Sequence, residues 1–252
     1  MNRLEPDAIA NTSSRVERSP YPAALATEPG LSVFAPLHYE SNYAYPLLVW
    51  LHGAGHNEGQ LRSLMPRISM RNYAAVAPRG TTNMGNLDSG DSTSTCSEEF
   101  TWCQSEQHIR WAHERVGNAV DQATKRLNIH SQRIFLAGHG SGGTMAFRIA
   151  MMLPEQVCGV LSLGGAFPRG HAPLRRLLEV RKLPLFVAVN RDNPSYSDTE
   201  VCENLRLFHT AGMAATLRQY PPDNDLSDLM LADVDRWIMD TIAEQQHAVV
   251  AS

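Results

Sequence analysis

The chain has 252 residues, of which 43% are hydrophobic and 19% charged, and it carries a formal net charge of −4. This is the composition of an ordinary globular domain, and without a basic stripe or a Lys/Arg cluster it excludes nucleic acid and a membrane surface as expected partners. The N-terminus lacks the apolar core of a signal peptide, and no apolar run approaches the roughly 20 residues that cross a bilayer, so we expect a cytoplasmic protein.

Strands and helices alternate along the chain after a polar leader at residues 1–28, which has no hydrophobic periodicity. We predict a single domain over residues 29–245 and a C-terminal tail at residues 246–252. Apolar runs of strand length predict strands at residues 31–39, 45–52, 73–78, 133–138, 158–163, 183–190 and 214–220. Amphipathic patterns predict helices after residue 104 and at residues 141–152, 198–211 and 226–242. This alternation predicts the α/β class, with a mostly parallel sheet flanked by helices on both faces.

The ligand site of such a sheet lies beyond the carboxyl ends of its strands, which makes the loops after His52, Gly138 and Asn190 the candidates. Residues 81–104 are rich in turn-forming residues, and a loop of this length in a compact domain is commonly functional or mobile. It contains Cys96 and Cys103, whose pairing across the loop the sequence leaves open. Four cysteines in the whole chain are too few for a disulfide scaffold, which favours reduced thiols.

The segment RIFLAGHGSGGTMAFRIA at residues 133–150 resembles the nucleophile elbow of α/β-hydrolases, in which G-x-S-x-G joins a strand to a helix. The segments LLVWLHGAGHNE and LRQYPPDNDLSDLMLADVDRWI resemble the oxyanion loop and the histidine loop of the phospholipase/carboxylesterase family, which includes acyl-protein thioesterase-like enzymes. The resemblance extends over roughly residues 30–243. It implies an α/β-hydrolase fold and, in an intact member, a Ser–Asp–His triad.

The register at the elbow decides which residue occupies the nucleophile position. The predicted strand ends at Gly138, which places Gly140 at that position and Ser141 at the next one, where the family's second oxyanion N–H arises. A glycine there adopts the strained elbow backbone without steric cost but provides no nucleophile. The alternative frame makes Ser141 the nucleophile, with His139 at a flanking position that tolerates bulk poorly.

The positions that match the other two triad members hold amides. Asn193-Pro194 matches the family's Asp-Pro, and an amide cannot stabilise the imidazolium that forms during catalysis. Asn224 matches the histidine, and no histidine lies between His209 and His247. Without a general base, a serine hydroxyl is a weak nucleophile near neutral pH. Asp192 and Asp198 are nearby acids, and both are interpreted as solvated loop acids or helix caps.

The loop His52-Gly53-Ala54-Gly55 matches the oxyanion loop, so its backbone N–H groups, chiefly that of Ala54, are predicted to form an anion-attracting cradle with the N–H of Ser141. His139 is predicted to line the same site. The expected ligand is a small acyl, ester or carboxylate compound. No cofactor and no metal are predicted, and a protein partner is not identified by the sequence.

Three functional hypotheses remain. The first is a catalytically degenerate family member, a pseudoenzyme that retains a binding pocket. The second is an active carboxylesterase or thioesterase that uses Ser141 with an unidentified base. The third is a metal-assisted enzyme in which His52, His56 and His139 bind zinc, although no carboxylate or cysteine is spaced to complete the ligand set.

Overall fold

The structure is a computed structural model that describes residues 30–85, 98–222 and 226–250. The predicted leader at residues 1–28 lies outside the described residues, as do Cys96 and Asn224. Cys103, Cys158 and Cys202 are free thiols.

A seven-stranded sheet forms the centre of the described fold, in the order β1-β3-β2-β6-β7-β8-β9. The edge strand β1 runs antiparallel to β3, and every other neighbouring pair is parallel. A separate two-stranded sheet pairs β4 with β5. The strands are β1 Leu31–Phe34, β2 Tyr45–Leu51, β3 Ala74–Pro78, β4 Thr82–Asn83, β5 Phe100–Thr101, β6 Ile129–His139, β7 Gly159–Leu163, β8 Leu185–Asn190 and β9 Ala215–Tyr220.

Helices cover both faces of this sheet because successive side chains of each strand point to opposite faces. The helices are α1 Gln60–Ile68, α2 Glu106–Arg126, α3 Ser141–Met152, α4 Leu177–Val180, α5 Asp198–Ala211 and α6 Asp228–Val250. On one face, Leu47, Val49 and Leu51 of β2 belong to a buried cluster with apolar residues of α2 and α3. On the other face, Leu48 and Trp50 belong to a second cluster with apolar residues of α1 and α6. The predicted mostly parallel sheet between two helical layers is therefore confirmed.

Several element boundaries differ from the sequence prediction. The first strand ends at Phe34 rather than residue 39, because Pro36 lacks a backbone donor and His38 adopts a left-handed φ of 58°. Helix α6 continues to Val250, through the predicted tail. Residues 243–247 carry no apolar stripe, but alanine, glutamate and glutamine are good helix formers.

Helix α1 was not predicted, although Leu61, Leu64, Met65 and Ile68 follow helical spacing and are buried. Pro66 inside the helix is the feature that argues against it in the sequence. None of the helices in the described part of the chain combines the length and the apolar character that a bilayer crossing requires.

Candidate functional site

The turn between β6 and α3 lies at the carboxyl edge of the sheet, and glycines bring the helix directly against the strands. A Cβ on Gly138 would overlap the carbonyl carbon of Gly142, and a Cβ on Gly142 would overlap the carbonyl oxygen of Leu51. A Cβ on Gly143 would lie 2.5 Å from the hydroxyl of Ser162. Residues larger than glycine at these positions would force α3 away from the ends of β2 and β6.

Gly140 lies at the tip of this turn, between the last residue of β6 and the first residue of α3. Its backbone has φ +52° and ψ −118°, a conformation that side-chain-bearing residues adopt only with strain. Its N–H donates to Leu163 O at 2.9 Å, and its carbonyl accepts from Thr144 N at 3.1 Å. No heavy atom of the described residues lies within 4 Å of a Cβ built on Gly140, leaving out Gly140 and its two chain neighbours. A side chain here would enter a space that the described residues leave open.

Ser141, the residue of the alternative frame, is the first residue of α3 and is half-buried. Its Oγ accepts a hydrogen bond from Thr101 Oγ1 at 3.1 Å. Ser141 does not belong to the positive-φ residues of the described chain, so the strained position of the turn is Gly140. The first N–H groups of a helix have no acceptor within the helix, and those of α3 therefore present partial positive charge at this edge.

The predicted oxyanion loop follows β2 at the same edge. Ala54 is exposed, and no acceptor among the described residues binds its N–H. The loop is held on both sides of Ala54, because His56 N donates to Gly53 O at 3.3 Å and Gly55 N donates to Phe100 O at 3.1 Å. Gly55 has a φ of +78°, which glycine adopts without steric cost. The loop therefore presents the N–H of Ala54, without a described acceptor, from a fixed backbone.

His52 stabilises this loop from the protein interior. Its ring is fully buried, and Nε2 accepts from Gly80 N–H at 2.8 Å. The proton of the neutral ring therefore lies on Nδ1, which donates to Gly53 O at 2.8 Å. Burial, as the largest cause, lowers the pKa of His52 to about 4. Because both ring nitrogens are bonded inside the protein, His52 orders the loop and its ring does not face a ligand at the edge.

His139 and His56 lie beside the loop at Gly53. A Cβ built on Gly53 would be 2.7 Å from His139 Nδ1 and 3.5 Å from His56 Cδ2, so both rings pack beside this glycine. Both ring nitrogens of His52 are hydrogen-bonded to backbone groups, so His52 has no ring nitrogen available for a metal. The structure therefore does not assemble the three predicted zinc ligands. Among the described residues, no group of three His, Cys, Asp or Glu side chains is placed to hold a metal ion.

Asn193 comes from the loop after β8 and reaches the same edge. Its Oδ1 accepts from Ser195 N–H at 2.9 Å, and its Nδ2 lies 3.4 Å from a Cβ built on Gly164. The Cδ2 atom of His139 is 3.9 Å from that same point, so the two side chains flank Gly164. The predicted acid position and the elbow strand therefore meet.

The two acids near Asn193 are exposed. Asp192 adopts a φ of +56°, and Asp198 is the first residue of α5, whose N-cap is Ser197. Asn224 lies outside the described residues. His209 in the last turn of α5 and His247 in α6 are both exposed.

A clasp formed by Glu58, Arg79 and Phe100 was not predicted. Arg79 Nε donates to Glu58 Oε2 at 2.8 Å, and the guanidinium carbon lies 4.7 Å from the centre of the Phe100 ring. Trp102 Nε1 donates to the carbonyl of His52 at 3.0 Å. These contacts hold the second end of the 81–104 segment, at Phe100 and Trp102, against the oxyanion loop and its surroundings. They join residues far apart in sequence without a motif, so no sequence signal could have identified them.

A family model described as phospholipase/carboxylesterase matches residues 38–189. The chain belongs to the phospholipase/carboxylesterase family. Among the curated proteins, this family member is similar to the bifunctional acetylxylan esterase/xylanase XynS20E of Neocallimastix patriciarum, with 24% identity over 198 residues. The match takes in 76% of this chain but only 26% of that protein, so the chain spans about a quarter of the length of the curated relative.

Solved structures of carboxylesterases share the fold of this family member. The carboxylesterase of Mesorhizobium loti is 19% identical with a TM-score of 0.65, covering 83% of this chain and 93% of that one. The Bacillus cereus carboxylesterase is 16% identical with a TM-score of 0.64, covering 84% of this chain and 93% of that one. At such identities the likeness concerns the fold, and it confirms the predicted α/β-hydrolase fold.

Proposed function

We propose that this phospholipase/carboxylesterase-family protein is a pseudoenzyme, which keeps the oxyanion-type cradle of the family and has lost the triad that would attack an ester. Its role is then to bind a small ester or carboxylate ligand at the carboxyl edge of the sheet, without covalent catalysis. Fold and family do not by themselves determine activity, so the proposal depends on the residues at the three catalytic positions.

The observation that carries the proposal is Gly140 at the strained tip of the turn. An elbow nucleophile keeps a strained backbone because the strain exposes its reactive atom. A chain that no longer needs that atom relieves the strain with glycine. The absence of described atoms around a Cβ at this position supports the same assignment, because a nucleophile there would be open to a substrate.

The glycines two residues on either side support this register. Gly138 and Gly142 both lack room for a Cβ, as the small positions of G-x-S-x-G require. A frame centred on Ser141 would give the corresponding position to His139, and it would place the nucleophile in the first turn of α3. The frame centred on Gly140 therefore accounts for more of the geometry.

The residues at the acid and base positions are amides, which also supports the proposal. Asn193 lies beside His139 at the edge, where its amide can orient a neighbouring group but carries no charge. Asn224 is assigned to the histidine position from the sequence alone. Three substitutions in a unit that works only together leave no route to an activated serine.

The cradle provides the backbone groups that can bind a ligand. The unpaired N–H of Ala54 and the N-terminal N–H groups of α3 can receive a carbonyl oxygen or a carboxylate. We propose no metal and no cofactor for this site. The imidazoles of His139 and His56, which pack beside Gly53, form a polar wall next to the cradle.

The test is hydrolysis of p-nitrophenyl acetate by the purified protein and by a matched Ser141→Ala variant. We expect the two rates to be equal, because loss of a triad costs about 10⁶-fold in rate. A rate that Ser141→Ala abolishes would overturn the proposal in favour of an active esterase using Ser141. A rate that survives Ser141→Ala and disappears with a chelator would overturn it in favour of the metal-assisted alternative.

Rebuilding the site tests the three assignments together. The variant with Gly140→Ser, Asn193→Asp and Asn224→His should gain measurable esterase activity, whereas each single and double variant should not, because the three groups act as a unit. Activity in Gly140→Ser alone would show that another residue already serves as the base. The assignment of Asn224 would then be wrong.

A further inference from the structure

A cavity with a volume of about 660 Å³ lies away from the candidate site. It is bounded by the beginning of α2, the second half of α3 and residues 171–176. Neither Gly140 nor Asn193 lines it. An inference about this cavity therefore does not depend on the proposed function of the strand edge.

Positive charge and apolar surface occur together in this cavity. Its lining includes Arg110, Arg148, Arg175 and Arg176, with Glu106 as its acidic side chain. Arg176 is paired with Glu155 at 2.9 Å, whereas Arg110 and Arg175 form no ion pair with a described residue. The apolar part of the lining includes Ile109, Met151, Met152 and Pro173.

Arg148 is the unusual member of this group, because it is only 5% exposed and has no carboxylate partner among the described residues. Its guanidinium donates to Gln104 Oε1 at 2.7 Å, to Gly170 O at 2.8 Å and to Arg169 O at 2.5 Å. These acceptors are neutral and use three of the five N–H groups of a guanidinium. Burial lowers the pKa of Arg148. A buried cation without a counter-charge is costly, and an anion in the cavity would remove that cost.

The segment that supplies two of these carbonyls has an unusual backbone. Gly170, His171 and Ala172 have φ values of 71°, 53° and 45°. Two consecutive residues with side chains in the left-handed region are strained, and such strain concentrates at ligand-binding segments. His171 and Ala172 also line the cavity. Residues 169–172 therefore hold both part of the cavity wall and two of the three acceptors of Arg148.

We propose that this cavity binds a small organic anion, in which a carboxylate or phosphate group is carried on a short apolar body. Arg148 receives the acidic group, with Arg110 and Arg175 at the rim. A planar guanidinium matches the oxygens of a carboxylate or phosphate through paired hydrogen bonds. The apolar body lies against Ile109 and Met151.

Calorimetric titration of the full chain tests the proposal with octanoate and octyl phosphate. Each compound should bind at this cavity, which the arginine variants distinguish from the cradle at the strand edge, and the tighter of the two identifies the acidic group that the cavity prefers. Acetate, inorganic phosphate and octan-1-ol each lack one half of the ligand and should bind at least about tenfold more weakly. Equal binding of octan-1-ol, or of the short anions, would overturn the proposal.

The rim arginines provide variants that should fold, because Arg110 and Arg175 are exposed. The double change Arg110→Gln with Arg175→Gln should weaken octanoate or octyl phosphate binding about tenfold, and Arg148→Gln should abolish it. The matched control, Arg206→Gln with Arg218→Gln, removes two exposed arginines outside the cavity lining and should leave the affinity unchanged. Affinity that is the same in the rim variant and the control would show that the anion binds elsewhere, which would overturn the proposal.

Discussion

The turn after β6 has a packed side and an open side. On the packed side, Gly142 lies against the carbonyls of Leu51 and His52, and the polar atoms of the His52 ring are hydrogen-bonded inside the protein. On the open side, no described atom approaches a side chain at Gly140, and the N–H of Ala54 has no described partner. We therefore expect substitutions on the packed side to change the stability of the domain, and substitutions on the open side to change ligand binding or activity.

Gly142→Ala should have the largest effect, because it acts on the packed side. The new Cβ would overlap Leu51 O and lie 2.5 Å from His52 O, neither of which can move without shifting β2. We expect the free energy of unfolding to fall by about 3 kcal/mol. Urea denaturation measures the change.

Gly117→Ala is the matched control for Gly142→Ala. Gly117 lies within α2 and is exposed, and apart from its chain neighbours and the nearby backbone of its own helix no described atom lies within 4 Å of a built Cβ. An alanine there should stabilise the protein by about 0.5–1 kcal/mol. If both alanines had equal effects, the close approach of α3 to β2 would be refuted.

Lowering the pH should reduce the free energy of unfolding through His52, whose native pKa of about 4 lies below the usual value of 6.5. As the pH falls below 6.5, the unfolded chain takes up a proton that the native ring refuses, so stability is lost progressively down to pH 4. Between pH 8 and pH 5 this single group should cost about 2 kcal/mol.

The variant His52→Gln isolates that contribution, because glutamine does not titrate and can accept from Gly80 N–H. Urea denaturation at pH 8 and pH 5 should show a loss of stability that is about 2 kcal/mol smaller in His52→Gln than in the natural chain. An equal loss in both proteins would mean that His52 already binds its proton in the native state at pH 5.

Gly140→Ala should have the smallest effect of the series, because it acts on the open side. The described residues leave space for the methyl group, so the cost comes only from the positive φ of +52° and should be about 1 kcal/mol. Thermal denaturation can rank it against Gly142→Ala. A cost as large as that of Gly142→Ala would show that the turn is crowded on both sides.

Most of the fold could be predicted from the sequence, because buried parallel strands are recognisable as continuous apolar runs. The run at residues 45–52 contains β2, and the glycine-rich segment at residues 133–150 forms the end of β6, the turn and most of α3. Helix α1 was missed because Pro66 contradicts its otherwise helical pattern. The predicted end of α6 was based on its apolar stripe. The helix extends further because the residues after the stripe have good helix propensity.

The candidate site was only partly predictable. The sequence identified the loops of His139 and Asn193, and the structure brings these side chains to one glycine. It could not show that the ring of His52 is buried, because that depends on Gly80 and Trp102 from other parts of the chain. The arginine-lined cavity was not predicted either, because Arg110, Arg148 and Arg175 come from α2, α3 and the segment before α4, which only the tertiary packing brings together.

The space left open at Gly140 has an evolutionary consequence. A glycine codon can become a serine codon by one base change, and an asparagine codon can likewise become an aspartate or a histidine codon. The described residues leave the space beside Gly140 open, so a change from glycine to serine meets little steric resistance. Because the three groups work only as a unit, no single step gives an activity that selection could favour. Under the proposed function, a working triad is therefore few mutations away and yet separated from the present chain by a fitness plateau.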